Sequence, residues 1–113
     1  MTQLLLLRLA AGDDLVGGIE AAARAQGIQN ARVHAGPGSL MHASLRVGDA
    51  IVHAPGPAAE ILVMVGEIRN GRAILHGAVG DPDGRVYAGQ FIPGQNPVCI
   101  TVELALDAND PER

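Results

Sequence analysis

The chain has 113 residues, of which 48% are hydrophobic and only 2% are aromatic. This length suits one domain with a core of Leu, Val, Ile and Ala, and the hydrophobic content excludes an intrinsically disordered chain. The formal net charge is −4. All eight basic residues are arginines and no two of them adjoin, so the clustered positive charge that grips a nucleic-acid backbone is missing.

The single cysteine, Cys99, excludes an intrachain disulfide and suits a reducing compartment. The apolar run after Met1 has no basic segment before it and is too short for a signal peptide or a membrane span. We therefore expect a cytoplasmic protein without membrane contact.

The first predicted elements are a strand and a helix. Residues 4–10 are apolar on both faces except at Arg8, which is either a surface residue at the strand end or a buried or interface arginine paired with a carboxylate. Apolar residues at helical spacing then predict a helix that begins after Asp13 as N-cap and stops at Gly27.

Two strands are expected next, over 29–35 and 39–47, separated by Gly36-Pro37-Gly38. They read as a hairpin with one polar face, which is either solvated or a polar ligand site. That face comprises Arg32, His34, His42, Ser44 and Arg46. A short strand over 50–54 would carry His53 at the surface.

The second half of the chain predicts a central strand and a hairpin. Residues 59–68 are apolar on both faces, and Asn70-Gly71 is a strong hairpin turn. Two strands, 73–80 and 85–92, flank the turn residues 81–84, Asp-Pro-Asp-Gly. A last strand covers 97–106, and the polar residues 107–113 are expected to fray.

One helix and seven to eight strands joined by short turns predict an α+β domain, mainly an antiparallel β-sheet, over 1–106. One helix cannot cover both faces of so large a sheet. The remaining apolar surface predicts contact with copies of the same chain.

Six segments, in order over about residues 6–106, resemble the plant- and prokaryote-conserved (PPC) domain family. The segments are Arg8-Leu9 with Gly12–Leu15, Gly27-Ile28 with Ala31–Val33, Gly36–Leu40 with Ala43–Leu45, Glu60–Leu62 with Gly66, the hairpin 74–90, and Glu103. The resemblance implies a sheet flanked by helix and a homotrimer. In plant members the domain mediates self-association while an AT-hook grips DNA; this sequence contains no Arg-Gly-Arg-Pro hook. Free-standing bacterial members are called DNA-binding by analogy.

The family signature carries three histidines, which in some prokaryotic members look like a metal site. The corresponding positions here are Ile74, His76 and Gln90, so only the second histidine is retained. Zinc requires three or four N, S or O ligands, so neither zinc nor another cofactor is predicted. His76 is then a structural histidine, a ligand-binding residue beside Gln90, or part of a metal site rebuilt with His34 or His42.

Two functions follow, and a third, direct DNA binding, is disfavoured by the acidic balance, although a trimer could concentrate Arg32, Arg46, Arg69 and Arg72 on one side. The first is a homotrimeric interaction or regulatory module, associated with DNA by family resemblance only. The second is a protein that binds a small anionic molecule, or an enzyme, with a site at the subunit boundary. Its tentative residues are Arg8, Glu60, His76, Gln90 and Glu103. No nucleophile is paired with a base in the sequence, so no catalytic residue is assigned and a non-enzymatic role is favoured.

Overall fold

The computed structural model describes residues 2–109, which form one helix and eight strands. No helix in this range is long and apolar enough to cross a membrane. In chain order the elements are β1 (Thr2–Ala10), α1 (Leu15–Ala25), β2 (Ala31–Leu40), β3 (Ala43–Val47), β4 (Ala50–Ala54), β5 (Ala59–Arg69), β6 (Arg72–Gly80), β7 (Val86–Phe91) and β8 (Val98–Asn109).

All eight strands belong to one sheet, in the order β1-β8-β2-β5-β6-β7-β3-β4, and every neighbouring pair is antiparallel. The predicted α+β class is therefore confirmed. The predicted central strand, β5, lies fourth in the order, and its turn into β6 has positive φ at Asn70 (53°) and Gly71 (83°). These angles are those of the hairpin turn that Asn-Gly favours.

The helix begins one residue later than predicted. Asp14, not Asp13, is the N-cap, and its carboxylate accepts a hydrogen bond from the N–H of Gly17 at 2.8 Å. Asp13 instead accepts from the backbone N–H of Ala10. At the other end Gly27 has φ +72°, and its N–H donates to the carbonyl of Arg24, so the predicted glycine stop is confirmed.

The core lies between α1 and one face of the sheet. Leu15, Val16 and Ile19 of the helix are at most 1% exposed. From the sheet side the fully buried large residues include Val33, Leu45, Met64, Leu75, Val79, Phe91, Val98 and Leu106. Alternation along the strands therefore places one apolar set in the interior.

The opposite face of the sheet, here called the open face, is not covered by α1. A row of paired residues on it crosses seven strands: Leu6, Ala105, His34, Val65, His76, Gln90 and Arg46. Large apolar side chains on this face remain exposed, with Leu6 at 81%, Val65 at 56% and Ile74 at 46%.

The predicted hairpin between the second and third strands is wrong. β2 continues through Gly36-Pro37-Gly38 to Leu40, with register shifts against β8 that absorb these residues. β2 pairs with β8 and β5, whereas β3 pairs with β7 and β4. The polar residues assigned to one hairpin face therefore belong to two separate parts of the sheet.

The last strand is longer than predicted. β8 begins at Val98 and continues to Asn109, because residues 107–109 pair with the first residues of β1. The rest of the predicted tail, residues 110–113, lies outside the described residues.

Candidate functional site

Three polar residues from three neighbouring strands meet on the open face. His76 of β6 pairs with Gln90 of β7, and Gln90 pairs with Arg46 of β3. Side chains of directly paired residues point to the same face, so the three form a continuous polar group. His76 and Arg46 are exposed and Gln90 is half-buried. The predicted neighbourhood of His76 and Gln90 is confirmed, and Arg46 joins it from outside the hairpin.

These side chains line a shallow depression of about 520 Å³. The other lining residues are Val47, Gly48, Ala88 and Gly89. Gly89 is required by the packing, since a Cβ there would lie 2.6 Å from the carbonyl oxygen of Arg46. The absence of that Cβ allows β3 to approach β7 and so brings Arg46 beside Gln90.

The turn between β6 and β7 is built around the Asp81 carboxylate. One oxygen accepts hydrogen bonds from the N–H groups of Asp83 and Arg85, each at 2.9 Å, and the other accepts from the Tyr87 hydroxyl at 2.9 Å. Gly84 has φ +85°, as the predicted turn requires. These hydrogen bonds therefore stabilise the turn of the hairpin that carries His76 and Gln90.

This network also sets two proton affinities. Burial alone would raise the pKa of Asp81, but hydrogen bonds from the Arg85 N–H, the Tyr87 hydroxyl and a further backbone N–H hold it below the usual 3.8. The hydrogen bond to the Asp81 carboxylate raises the pKa of Tyr87 above its usual 10.0, and burial adds to this.

A buried asparagine that the sequence reasoning missed fixes the position of β3. Asn96 is fully buried; its side-chain oxygen accepts from the N–H of Ser44, and its side-chain nitrogen donates to the carbonyls of Ser44 and Ile92. The Ser44 hydroxyl in turn lies 2.9 Å from Nδ1 of His53, whose predicted exposure is confirmed. No local pattern around Asn96 indicates its contacts with Ser44, which lies 52 residues away in sequence.

The remaining tentative site residues lie on β1, β5 and β8, away from His76 and Gln90. Arg8 donates to the carboxylate of Glu103 at 3.0 Å, but both side chains are largely exposed in the single chain, so Arg8 is a paired surface residue and not a buried one. Glu60 and Glu103 line another depression, of about 440 Å³, together with the half-buried Thr101, whose hydroxyl oxygen is buried and has no hydrogen-bond partner among the described residues. Within one chain His76 and Gln90 therefore line one depression and Glu60 and Glu103 another, while Arg8 borders a third that also includes Glu103.

The polar group does not fit a metal ion. Across residues 2–109, no cluster of three His, Cys, Asp or Glu side chains could hold one. Ile74, on the same face as His76, has no ligating atom, and His34 lies two strands away from His76, beyond β5. His42, outside the regular strands, belongs to no such cluster either.

Comparison with known proteins identifies the family. The model of the Plants and Prokaryotes Conserved (PCC) domain matches residues 1–108. The chain belongs to this family, as the resemblance of its six segments had predicted.

One curated relative is a much longer protein. The bifunctional protein GlmU of Synechococcus sp. (strain JA-3-3Ab) is 37% identical over 104 residues, a match that covers 88% of this chain. The match covers only 16% of the relative's length, so this chain corresponds to a small part of that protein.

Solved structures share the fold over nearly the whole chain. A Salmonella enterica protein superposes with a TM-score of 0.84 at 25% identity, covering 96% of this chain and 78% of its own. A Bacteroides thetaiotaomicron protein to which DNA binding has been ascribed gives 0.81 at 20% identity, with 97% and 80% covered. A metal-containing protein from Archaeoglobus fulgidus gives 0.75 at 26% identity, with 95% and 80% covered.

Proposed function

We propose that this chain is a self-associating interaction module whose open face is covered by further copies of itself, three in all as the family resemblance implies. The main support for this proposal is the exposed apolar surface of that face. Its large side chains, each at least 46% exposed, include Leu4, Leu6, Leu62, Val63, Val65 and Ile74. A patch of this kind indicates a contact surface, because removing apolar side chains from water is favourable.

The charges on the open face favour a copy of the chain over a polyanion. Arg8 is paired with Glu103, and Arg32 lies between its cross-strand neighbours Asp107 and Glu67. On the β1–β8–β2 side of the open face both arginines thus have carboxylate neighbours, and a surface of this kind attracts a phosphate backbone only weakly. With a net charge of −4, the chain is proposed to act through protein contacts and not through a direct grip on DNA.

Native mass spectrometry of the untagged protein tests this proposal. We expect a trimer for the wild type and mainly monomer for Val65→Glu, because burying an unpaired carboxylate in an apolar contact costs several kcal/mol. Met41→Glu is the matched control: Met41 is exposed to a similar degree, 44% against 56%, but lies outside the strands that form the open face. Circular dichroism should be the same for all three proteins. A wild type that stays monomeric at micromolar concentration would refute self-association.

A second candidate function is the binding of a small anionic molecule near His76 and Gln90, at the boundary between subunits. It is favoured by the depression that these two residues share with Arg46. Arginine and histidine donors together suit a carboxylate or phosphate group. A thermal-shift screen of acidic metabolites tests it: stabilisation of the wild type that His76→Ala abolishes is expected, and no stabilisation by any metabolite would refute it.

A further inference from the structure

We infer that the depression between β3 and β6 recognises the carboxylate or phosphate group of a small anion and that Arg46 is its anchoring residue. This inference rests on the second candidate function and adds the residue that supplies the charge. Arg46 replaces Arg8 in that role, since Arg8 lies on β1, at the opposite edge of the sheet, and is paired with Glu103.

The surroundings of Arg46 differ from those of the paired arginines. Ion pairs among the described residues involve Arg8, Arg69 and Arg85. Arg46 has Ile51 opposite it on one side and Gln90 on the other, and no carboxylate lines its depression. A guanidinium always carries its charge, so this part of the surface attracts anions.

The neighbouring groups supply neutral donors of suitable reach. Adjacent strands are spaced about 4.8 Å apart, so the backbones at Arg46 and His76 are separated by about 10 Å, with Gln90 between them. An anion of a few atoms can therefore accept from the guanidinium and from the Gln90 amide at once, with the His76 ring at its far side. Small residues at 88 and 89 leave the space in front of Gln90 open.

The same arrangement disfavours a metal cation. Zinc in proteins is bound by carboxylate, imidazole and thiolate groups, and only His76 in this depression belongs to those classes. The fixed positive charge of Arg46 further repels a cation. The residue that occupies the third histidine position of the family signature, Gln90, thus donates to an anion in place of ligating a metal.

The test is an NMR titration of the full chain with inorganic phosphate and, separately, with succinate, at constant ionic strength. We expect saturable shifts of the backbone amides of Gly89 and Gln90 in the wild type. Arg46→Gln should weaken binding about tenfold or more, the loss expected for one charge-assisted contact. Arg32→Gln is the matched control, because Arg32 is an exposed arginine on the same face with carboxylate neighbours; its affinity should stay within about twofold of wild type. The stronger of the two probes identifies the anion source as phosphate or carboxylate.

Several results would overturn the inference, and they differ from one another. Equal saturable binding by the wild type and Arg46→Gln would leave the second candidate function standing but remove Arg46 as its anchor. Shifts that are linear in anion concentration, or absent, would remove both. Stoichiometric Zn²⁺ binding at the same amides, unchanged by Arg46→Gln, would show a cation site instead. Native mass spectrometry of the same samples reports self-association independently of every one of these results.

Discussion

Arginines on the two sides of the open face have different neighbours. On the β1–β8–β2 side, Arg8 is held by Glu103, and Arg32 has acidic residues opposite it on both neighbouring strands. On the β6–β7–β3 side, Arg46 has an amide and an aliphatic residue in the same positions. Matched charges suit a surface that another protein chain covers, whereas an unmatched arginine in a depression suits a small anion.

The two sides of the open face also differ in how firmly the rest of the structure holds their side chains in place. The β6–β7–β3 side depends on the close approach of two strands at Gly89 and on the turn that the Asp81 hydrogen bonds stabilise. The charged pairs on the β1–β8–β2 side lie at the surface and contribute little to the stability of the fold. Substitutions on the two sides should therefore differ in size as well as in kind.

The largest effect is expected for Gly89→Ala. The new Cβ would lie 2.6 Å from the carbonyl oxygen of Arg46, so β3 and β7 must move apart, at a cost of about 2 kcal/mol or more. Thermal unfolding should show a melting temperature lower by about 10 °C. Gly80→Ala is the control, since its Cβ would meet Leu62 at an ordinary 3.6 Å and should change stability by about 0.5 kcal/mol at most. Equal effects of the two substitutions would contradict the close-approach argument.

A smaller, pH-dependent effect is expected for Asp81→Asn. At pH 7 the melting temperature should fall by about 5 °C, since an amide cannot accept all three hydrogen bonds as the carboxylate does. The pKa of Asp81 is lower in the folded state than in the unfolded chain, so the unfolded state takes up the proton first and the stabilisation disappears as pH falls below 3.8. The difference between wild type and variant should therefore shrink in acid.

Asp83→Asn provides the comparison for that measurement. Its carboxylate lies 3.6 Å from Arg85, and both side chains are more than 70% exposed. Such a pair contributes little, so this variant should melt within about 2 °C of wild type at every pH. If it tracked Asp81→Asn across the pH series, the fastening role of Asp81 would be wrong.

The smallest effect is expected for Arg8→Gln. The Arg8–Glu103 pair joins side chains that are 73% and 46% exposed, and pairs of this kind contribute about 0.2–1 kcal/mol. Chemical denaturation at low and high salt checks this, with a difference from wild type that fades as salt rises. A loss above about 2 kcal/mol would show that the pair is buried in the assembled protein and has a larger role than the single chain indicates.

The sequence predicted the elements built from local signals. The Asn70-Gly71 turn, the turn at Asp81 and the glycine stop at Gly27 were all located correctly, because each depends on backbone angles that only a few residue types adopt. The N-cap was misplaced by one residue because two aspartates stand side by side and only contacts elsewhere distinguish them. Asp14 also accepts from the N–H groups of Gly94 and Asn96, which lie far along the chain.

The candidate site was predicted only in part. His76 and Gln90 belong to one hairpin, so their approach followed from the turn between them. Arg46 was placed in a hairpin with β2, because Gly36-Pro37-Gly38 resembles a strand break and adjacent strands usually pair. In the structure β2 absorbs these residues as an irregularity, and β3 pairs instead with β7.

The sequence by itself therefore determined the class of fold, the faces of the strands, the turns and the family, since alternation and turn chemistry are local properties. Only the tertiary structure decided which strands are neighbours and hence which arginine stands beside Gln90. The reason is physical: strand pairing across the sheet depends on contacts as distant as Asn96 with Ser44 and on the missing Cβ at Gly89. Neither leaves a periodic trace in the order of residues.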